Sequence, residues 1–186
     1  MTLTPLWRTF PFSKVKEQVI YVSIDNSSVF LPGGNNPQHG FRRSDIIAEV
    51  DGSPDNLIPT MEVGTTVFHF SIKASVERPL NYNHEYQIVF VEFSDGSHVF
   101  GIQLGTPLSP DPNAETVLDH GLDILFETPF LPAVWHNFAV QVDWEARTLG
   151  VFYSLEGLHL VAVTHFVKNK ANQRAMPERE NFISVF

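Results

Sequence analysis

Apolar and polar residues alternate with a period of two along most of the chain, which predicts strands and not helices. Residues 66–73 put Phe68, Phe70 and Ile72 on one side and Val67, His69, Ser71 and Lys73 on the other. Residues 85–92 set Tyr86, Ile88 and Phe90 against Glu85, Gln87, Val89 and Val91. Residues 136–144 set Phe138, Val140, Val142 and Trp144 against Asn137, Ala139, Gln141 and Asp143. Further strands are predicted over 19–24, 41–50, 98–104, 122–127, 149–153, 158–167 and 182–186. Between them stand turn formers: Pro-Gly-Gly-Asn-Asn-Pro at 32–37, Asp-Gly at 51–52 and 95–96, and Glu-Gly at 156–157. Asp95-Gly96, lying between Phe93 and His98, predicts a hairpin. Three prolines make 106–113 a surface loop, and the polar run 168–180 reads as another. Roughly ten short strands predict an all-β fold of two packed antiparallel sheets, a jelly-roll or lectin-like sandwich.

Composition narrows the picture. The 186 residues suit one domain, 1–186, with a sizeable core, and 16 Phe against 4 Tyr predict that the core is dry and aromatic. The absence of Cys excludes a disulfide scaffold and a Cys-based zinc site. Twelve basic against 21 acidic residues give a net charge of −9, which repels phosphate backbones and favours a neutral substrate over nucleic acid. No stretch approaches the ~20 apolar residues that span a bilayer. Pro5, Arg8, Pro11, Lys14 and Lys16 interrupt any secretion-signal core near the start. The chain therefore reads as intracellular, or as a mature or incomplete form of a secreted protein.

Two strands carry chemistry on an otherwise innocuous face. Residues 41–47 put Arg43 and Asp45 beside Phe41 and Ile47, and residues 85–91 put Glu85 and Gln87 at the head of an apolar row, like a cleft rim. Two carboxylates on neighbouring strands, one held ionised by an Arg, suit acid–base cleavage of a glycosidic bond. The competing reading is an i,i+2 ion pair of Arg43 and Asp45 on a solvated face. His84 and His136 open strands, where a side chain can reach a cleft, and Trp135 at a strand entrance can stack on a sugar ring. Trp144 shares its face with Phe138, Val140 and Val142 and reads as core. The eight His form no His-x-x-x-His pair, and no Gly-x-Ser-x-Gly elbow or phosphate-binding loop is present. Nothing in the pattern requires a metal or a cofactor, although loop carboxylates near Asp111 or Asp119 are of a kind that calcium takes.

Four ordered motifs over residues 19–167 resemble glycoside hydrolase family 131. Gly-Phe-Arg-Arg-Ser-Asp-Ile-Ile at 40–47 resembles its Arg-Arg-(Ser/Thr)-Glu-Leu strand, and His-Glu-Tyr-Gln-Ile-Val-Phe at 84–90 its Glu-x-Gln strand. Trp-His-Asn-Phe at 135–138, with Val142-Asp143-Trp144 and Gly150-Val151-Phe152, is similar to its Trp-His-Asn block. Val22-Ser23-Ile24-Asp25 matches the strand before the first motif. The resemblance implies a secreted fungal β-glucanase acting on β-1,3-, β-1,6- or β-1,4-linked glucan, and here a monomer is expected. It places the two catalytic carboxylates at Asp45 and Glu85, with Arg43, Gln87, His136 and Trp135 as substrate-binding residues. Position 45 is Asp where the family motif has Glu, and the segment before Ser23 is shorter than the family's. A non-catalytic glucan-binding sandwich and a polysaccharide lyase are the alternatives; the charge of −9 opposes the latter, whose substrates are anionic.

Overall fold

The computed structural model describes residues 6–8, 17–53, 56–92, 97–105, 114–119, 121–169 and 183–185. Chain contacts divide it into two compact units, residues 1–45 with 186, and residues 46–185. The first unit holds two antiparallel pairs: β1 (Leu6–Arg8) with β2 (Glu17–Val19), and β3 (Val29–Phe30) with β4 (Gln38–Arg42). Before β3, Asp25 caps a short turn of helix, accepting the Ser27 N–H at 2.7 Å while Ser28 Oγ accepts the Asp25 N–H at 3.2 Å.

The second unit is the sandwich. After a single helical turn, α1 (Ile58–Met61), come β5 (Thr65–Ile72), β6 (Glu85–Glu92), β7 (His98–Gly105), β8 (Ala114–Asp119) and β9 (Ile124–Pro129). The chain continues through β10 (His136–Asp143), β11 (Thr148–Leu155), β12 (Val161–Ala162), β13 (Val167–Lys168) and β14 (Ile183–Val185). One sheet has the order β12-β11-β10-β5, with β13 also on β11; the other runs β14-β6-β7-β8-β9. Every pairing is antiparallel. No described helix is long and apolar enough to cross a membrane.

The core lies between these sheets and is built as the Phe count predicts. Phe68, Phe138, Val140 and Val151 from one sheet meet Phe100, Ile102, Leu104 and Val117 from the other. The Phe68 and Phe100 rings tilt together at 5.4 Å, and Trp144 packs on the cluster while its Nε1 donates to Thr66 Oγ1 at 3.1 Å. Buried aromatic pairs of this kind add ~1 kcal/mol beyond the area they remove from water.

Alternation placed most strands, and where it failed the reasons are local. The predicted 41–50 strand stops at Arg42: the Arg43 N–H closes the β3–β4 pair on Ser28 O at 2.8 Å, and the chain then leaves the ladder. The predicted 19–24 strand reduces to the end of β2, and 158–167 to the short β12 and β13. Strand β8 carries no readable alternation because two carboxylates, Glu115 and Asp119, occupy core-facing positions beside Val117. Asp51-Gly52 does form the expected tight turn, with φ of 51° and 76° between the bridged Val50 and Ser53. Asp95-Gly96 and the 106–113 loop lie outside the described residues, but β6 and β7 pair as a hairpin requires, with Glu92 opposite His98.

Gly105 closes that β6–β7 pair where nothing larger fits. Its φ is +86°, and a Cβ would stand 1.9 Å from the His84 carbonyl oxygen. Gly105→Ala is expected to cost at least about 2 kcal/mol, combining left-handed strain with a backbone overlap. A thermal melt should show this as a fall of roughly 4–8 °C for a chain of this size; an unchanged melting temperature would mean that the 82–85 segment yields freely.

Candidate active site

Glu85 is the first residue of β6 and is exposed, and the Gln87 Nε2 donates to its Oε1 at 2.9 Å. Cross-strand partners share a face, so the ladders show what surrounds this pair. Gln87 stands opposite Gln103, Gln103 opposite Thr116, and Thr116 opposite Glu127. Four polar residues thus cross four strands on the face of one sheet that is turned away from the core cluster, with Glu85 two residues before Gln87 and opposite Gly105. Gln103 is 3% exposed and its Oε1 has no hydrogen-bond partner among the described residues, while Thr116 is fully buried and donates to Gln103 O at 3.2 Å. The missed signal for this row was Gln103 between Ile102 and Leu104, a polar residue inside an apolar strand.

The face does not continue as alternation predicts. A bulge at Ile88 shifts the register, so Val89 pairs with Ile102 and Phe90 with Gly101. Val89 and Val91 therefore turn into the core, and the row behind Glu85 and Gln87 runs on through Phe90, stacked on His98 at 4.5 Å.

Arg43 and Asp45 lie in the first unit, beyond the end of β4. The ion pair that the sequence left as the competing reading is formed: Arg43 Nε donates to Asp45 Oδ2, both side chains being about four-fifths buried (22% and 18% exposed). The guanidinium also sits 5.3 Å over the Phe30 ring, which Phe41 meets edge-on at 5.4 Å. Asp45 Oδ1 is buried with no hydrogen-bond partner among the described residues. Asp45 follows β4, which pairs with β3, and Glu85 opens β6, which pairs with β7 and β14.

His136 and Trp135 are adjacent in sequence but face different surroundings. His136, expected at a cleft, is fully buried between the sheets. Its Nε2 lies 3.1 Å from the Leu131 N–H and 3.3 Å from the Leu131 carbonyl oxygen, so either ring tautomer finds a backbone partner there. Nδ1 in turn lies 2.7 Å from Tyr153 Oη and 3.2 Å from Oε2 of the equally buried Glu115. Neither Glu115 oxygen has a hydrogen bond of good geometry. Burial pushes the Glu115 carboxyl well above its usual range. Burial also pulls His136 below its usual value, against the opposing pull of the Leu131 backbone and Glu156. Tyr153 is raised, mainly by burial, despite a hydrogen bond with Thr128, and burial with the nearby Glu115 raises Tyr82. Burial thus acts on both partners in favour of their neutral forms, a protonated carboxyl and an uncharged imidazole.

Trp135 faces outward on the opposite sheet, with Lys73 Nζ 5.0 Å from its ring and its N–H donating to Glu156 Oε1 at 3.2 Å. Glu85 and Gln87 are consequently brought together on one outer face of the sandwich, Trp135 lies on the other, and His136 lies between. Among the described residues no group of three or more His, Asp or Glu stands close enough to hold a metal ion. The Asp119 carboxylate is engaged by the N–H groups of Gly121 at 2.8 Å and Asp123 at 3.0 Å, closing the β8–β9 turn.

A model of the family described as the glycoside hydrolase 131 catalytic N-terminal domain matches residues 2–182. The chain belongs to that family. Two solved structures share its fold. The catalytic domain of the glycoside hydrolase family 131 protein from Coprinopsis cinerea aligns with TM-score 0.58 and 23% identity, over 78% of this chain and 56% of that one. The catalytic domain of a family 131 β-glucanase from Podospora anserina aligns with TM-score 0.62 and 20% identity, over 87% of this chain and 61% of that one. The chain therefore spans about three-fifths of the length of these family 131 structures. Among curated proteins no sequence matches it.

Proposed function

We propose that the protein is a glycoside hydrolase that cleaves β-glucan, with β-1,3, β-1,6 and β-1,4 linkages as the candidates, and that Glu85 and Asp45 are its working carboxylates. The observation that carries this reading is the exposed Glu85, bound by Gln87 at the head of a polar row on an outer sheet face. An exposed carboxylate with one amide donor can exchange a proton with a glycosidic oxygen or with water, and the second carboxylate completes either the inverting or the retaining scheme. The family match over 2–182 supports treating 1–186 as one family 131 domain. The same family supports a polysaccharide substrate and an extracellular site of action.

A second reading, a sandwich that binds glucan without cleaving it, is favoured by Asp45. One methylene shorter than the Glu of the family motif, its carboxylate is already engaged by Arg43. Reducing-sugar release from β-1,3/1,6- and β-1,4-glucans separates the two. Hydrolysis of at least one glucan is expected. Retention on insoluble glucan with no sugar released, by a chain shown to be folded, would replace hydrolysis with binding alone.

A further inference from the structure

In place of the monomer expected from the sequence, we propose that the β5 edge that no described residue pairs is a self-association surface, at which β5 of a second copy pairs antiparallel to form a two-fold dimer. Gly64 O accepts the Trp144 N–H and Ala74 O accepts the Ala133 N–H, so the even-numbered residues of this strand turn their backbone groups towards β10. The β5–β10 register is unbroken from Thr65 to Ile72, so the N–H and C=O groups of Thr65, Val67, His69 and Ser71 point the other way. No described residue pairs with that edge.

Among the described residues, the other edges of the two sandwich sheets carry devices that discourage pairing. Strand β9 has Glu127 and Pro129, while β12 and β13 are two residues long and β14 three. By contrast, β5 is eight residues long, unbulged and without a proline or a charge, and Val67 on it is 54% exposed. In a chain of net −9, the stretch 65–73 has no carboxylate and ends on Lys73, so two copies can approach there without acidic repulsion.

The strand is also self-complementary. Antiparallel pairing about His69 sets Val67 opposite Ser71 and Thr65 opposite Lys73, and these are the residues whose backbone groups point outward. On the core-facing side, Phe68 meets Phe70 and Thr66 meets Ile72, so the apolar layer runs on across the axis. The two sheets would join into one, a strand spacing of about 4.8 Å apart.

Size-exclusion chromatography with light scattering on the full chain tests this, independently of any activity on glucan. A dimer that grows with protein concentration is expected. Val67→Pro removes an outward N–H that no described residue uses, which edge strands tolerate, so it should yield monomer with an unchanged melting temperature. Should Val67→Pro fail to fold, His69→Lys opposes two cations at the axis through an exposed side chain and should weaken the dimer at least tenfold. A wild-type chain that stays monomeric at high concentration overturns the proposal, as does a dimer indifferent to either substitution.

Discussion

Replacing Glu85 by Gln is expected to lower glucan hydrolysis by about 10²–10⁴-fold, the range typical of a lost acid–base group. The amide keeps the shape and the oxygen that accepts from Gln87 Nε2, but it can neither take nor release a proton. Because Glu85 is exposed at the start of a strand, the fold has no stake in its charge. The loss should fall on kcat with KM little changed, and near-ultraviolet circular dichroism should match the parent. Gln87→Ala leaves the carboxylate in place without its amide donor and should be milder, with a shift in the pH–rate profile as its mark. Asp45→Asn is expected to lose activity in the same range as Glu85→Gln, though it also weakens the hold on Arg43. A wild-type rate in Glu85→Gln would remove this residue from the chemistry.

Glu115 is expected to make stability fall as pH rises above about 4.5, and Glu115→Gln should abolish that fall. The folded Glu115 holds its proton above the ordinary 4.5, so from there upward the unfolded chain binds fewer protons and stability declines. The folded His136 sheds its proton below the ordinary 6.5, so under that value the unfolded chain binds more and stability declines as pH drops. Where both groups titrate, the two slopes oppose each other. Above 6.5 the His136 contribution is spent, so any further decline belongs to Glu115, at up to about 1.4 kcal/mol per pH unit. Tyr82 and Tyr153, both raised above 10, act with the same sign only at higher pH, so melts kept below about pH 9 isolate the carboxyl. With Gln at 115, the advantage over the parent should widen as pH rises above 4.5. Parallel profiles would mean that Glu115 is ionised in the folded protein and shares its charge with His136.

Half-buried strands announce themselves because one face must be apolar over a repeat of two, and such a repeat is local. Residues 85–92 were delimited in this way to the residue, and so were the packed faces of β5 and β10. The bulge at Ile88 left no trace in the pattern, since both Val89 and Phe90 are apolar and either can face inward. Strand β8 was invisible because Glu115 and Asp119 stand where apolar residues would have marked the core. The sequence likewise could not show that Arg43 and Asp45 leave the ladder, since a strand continues only while a neighbouring strand supplies partners.

From the sequence alone came the all-β class, the phenylalanine-rich core, the family motifs, and Glu85 and Gln87 as a pair on one face. The tertiary structure decided which residues meet that face. It set Gln103, Thr116 and Glu127 in line with Gln87, moved Trp135 to the opposite surface, and enclosed His136 with Glu115. The physical reason is that alternation fixes on which side of a strand a residue lies, whereas pairing partners and the packing of sheets are set by contacts distant in sequence. Burial of a charge-bearing side chain is decided at that second level, where the cost of removing it from water is met by a neighbour that the local pattern does not contain.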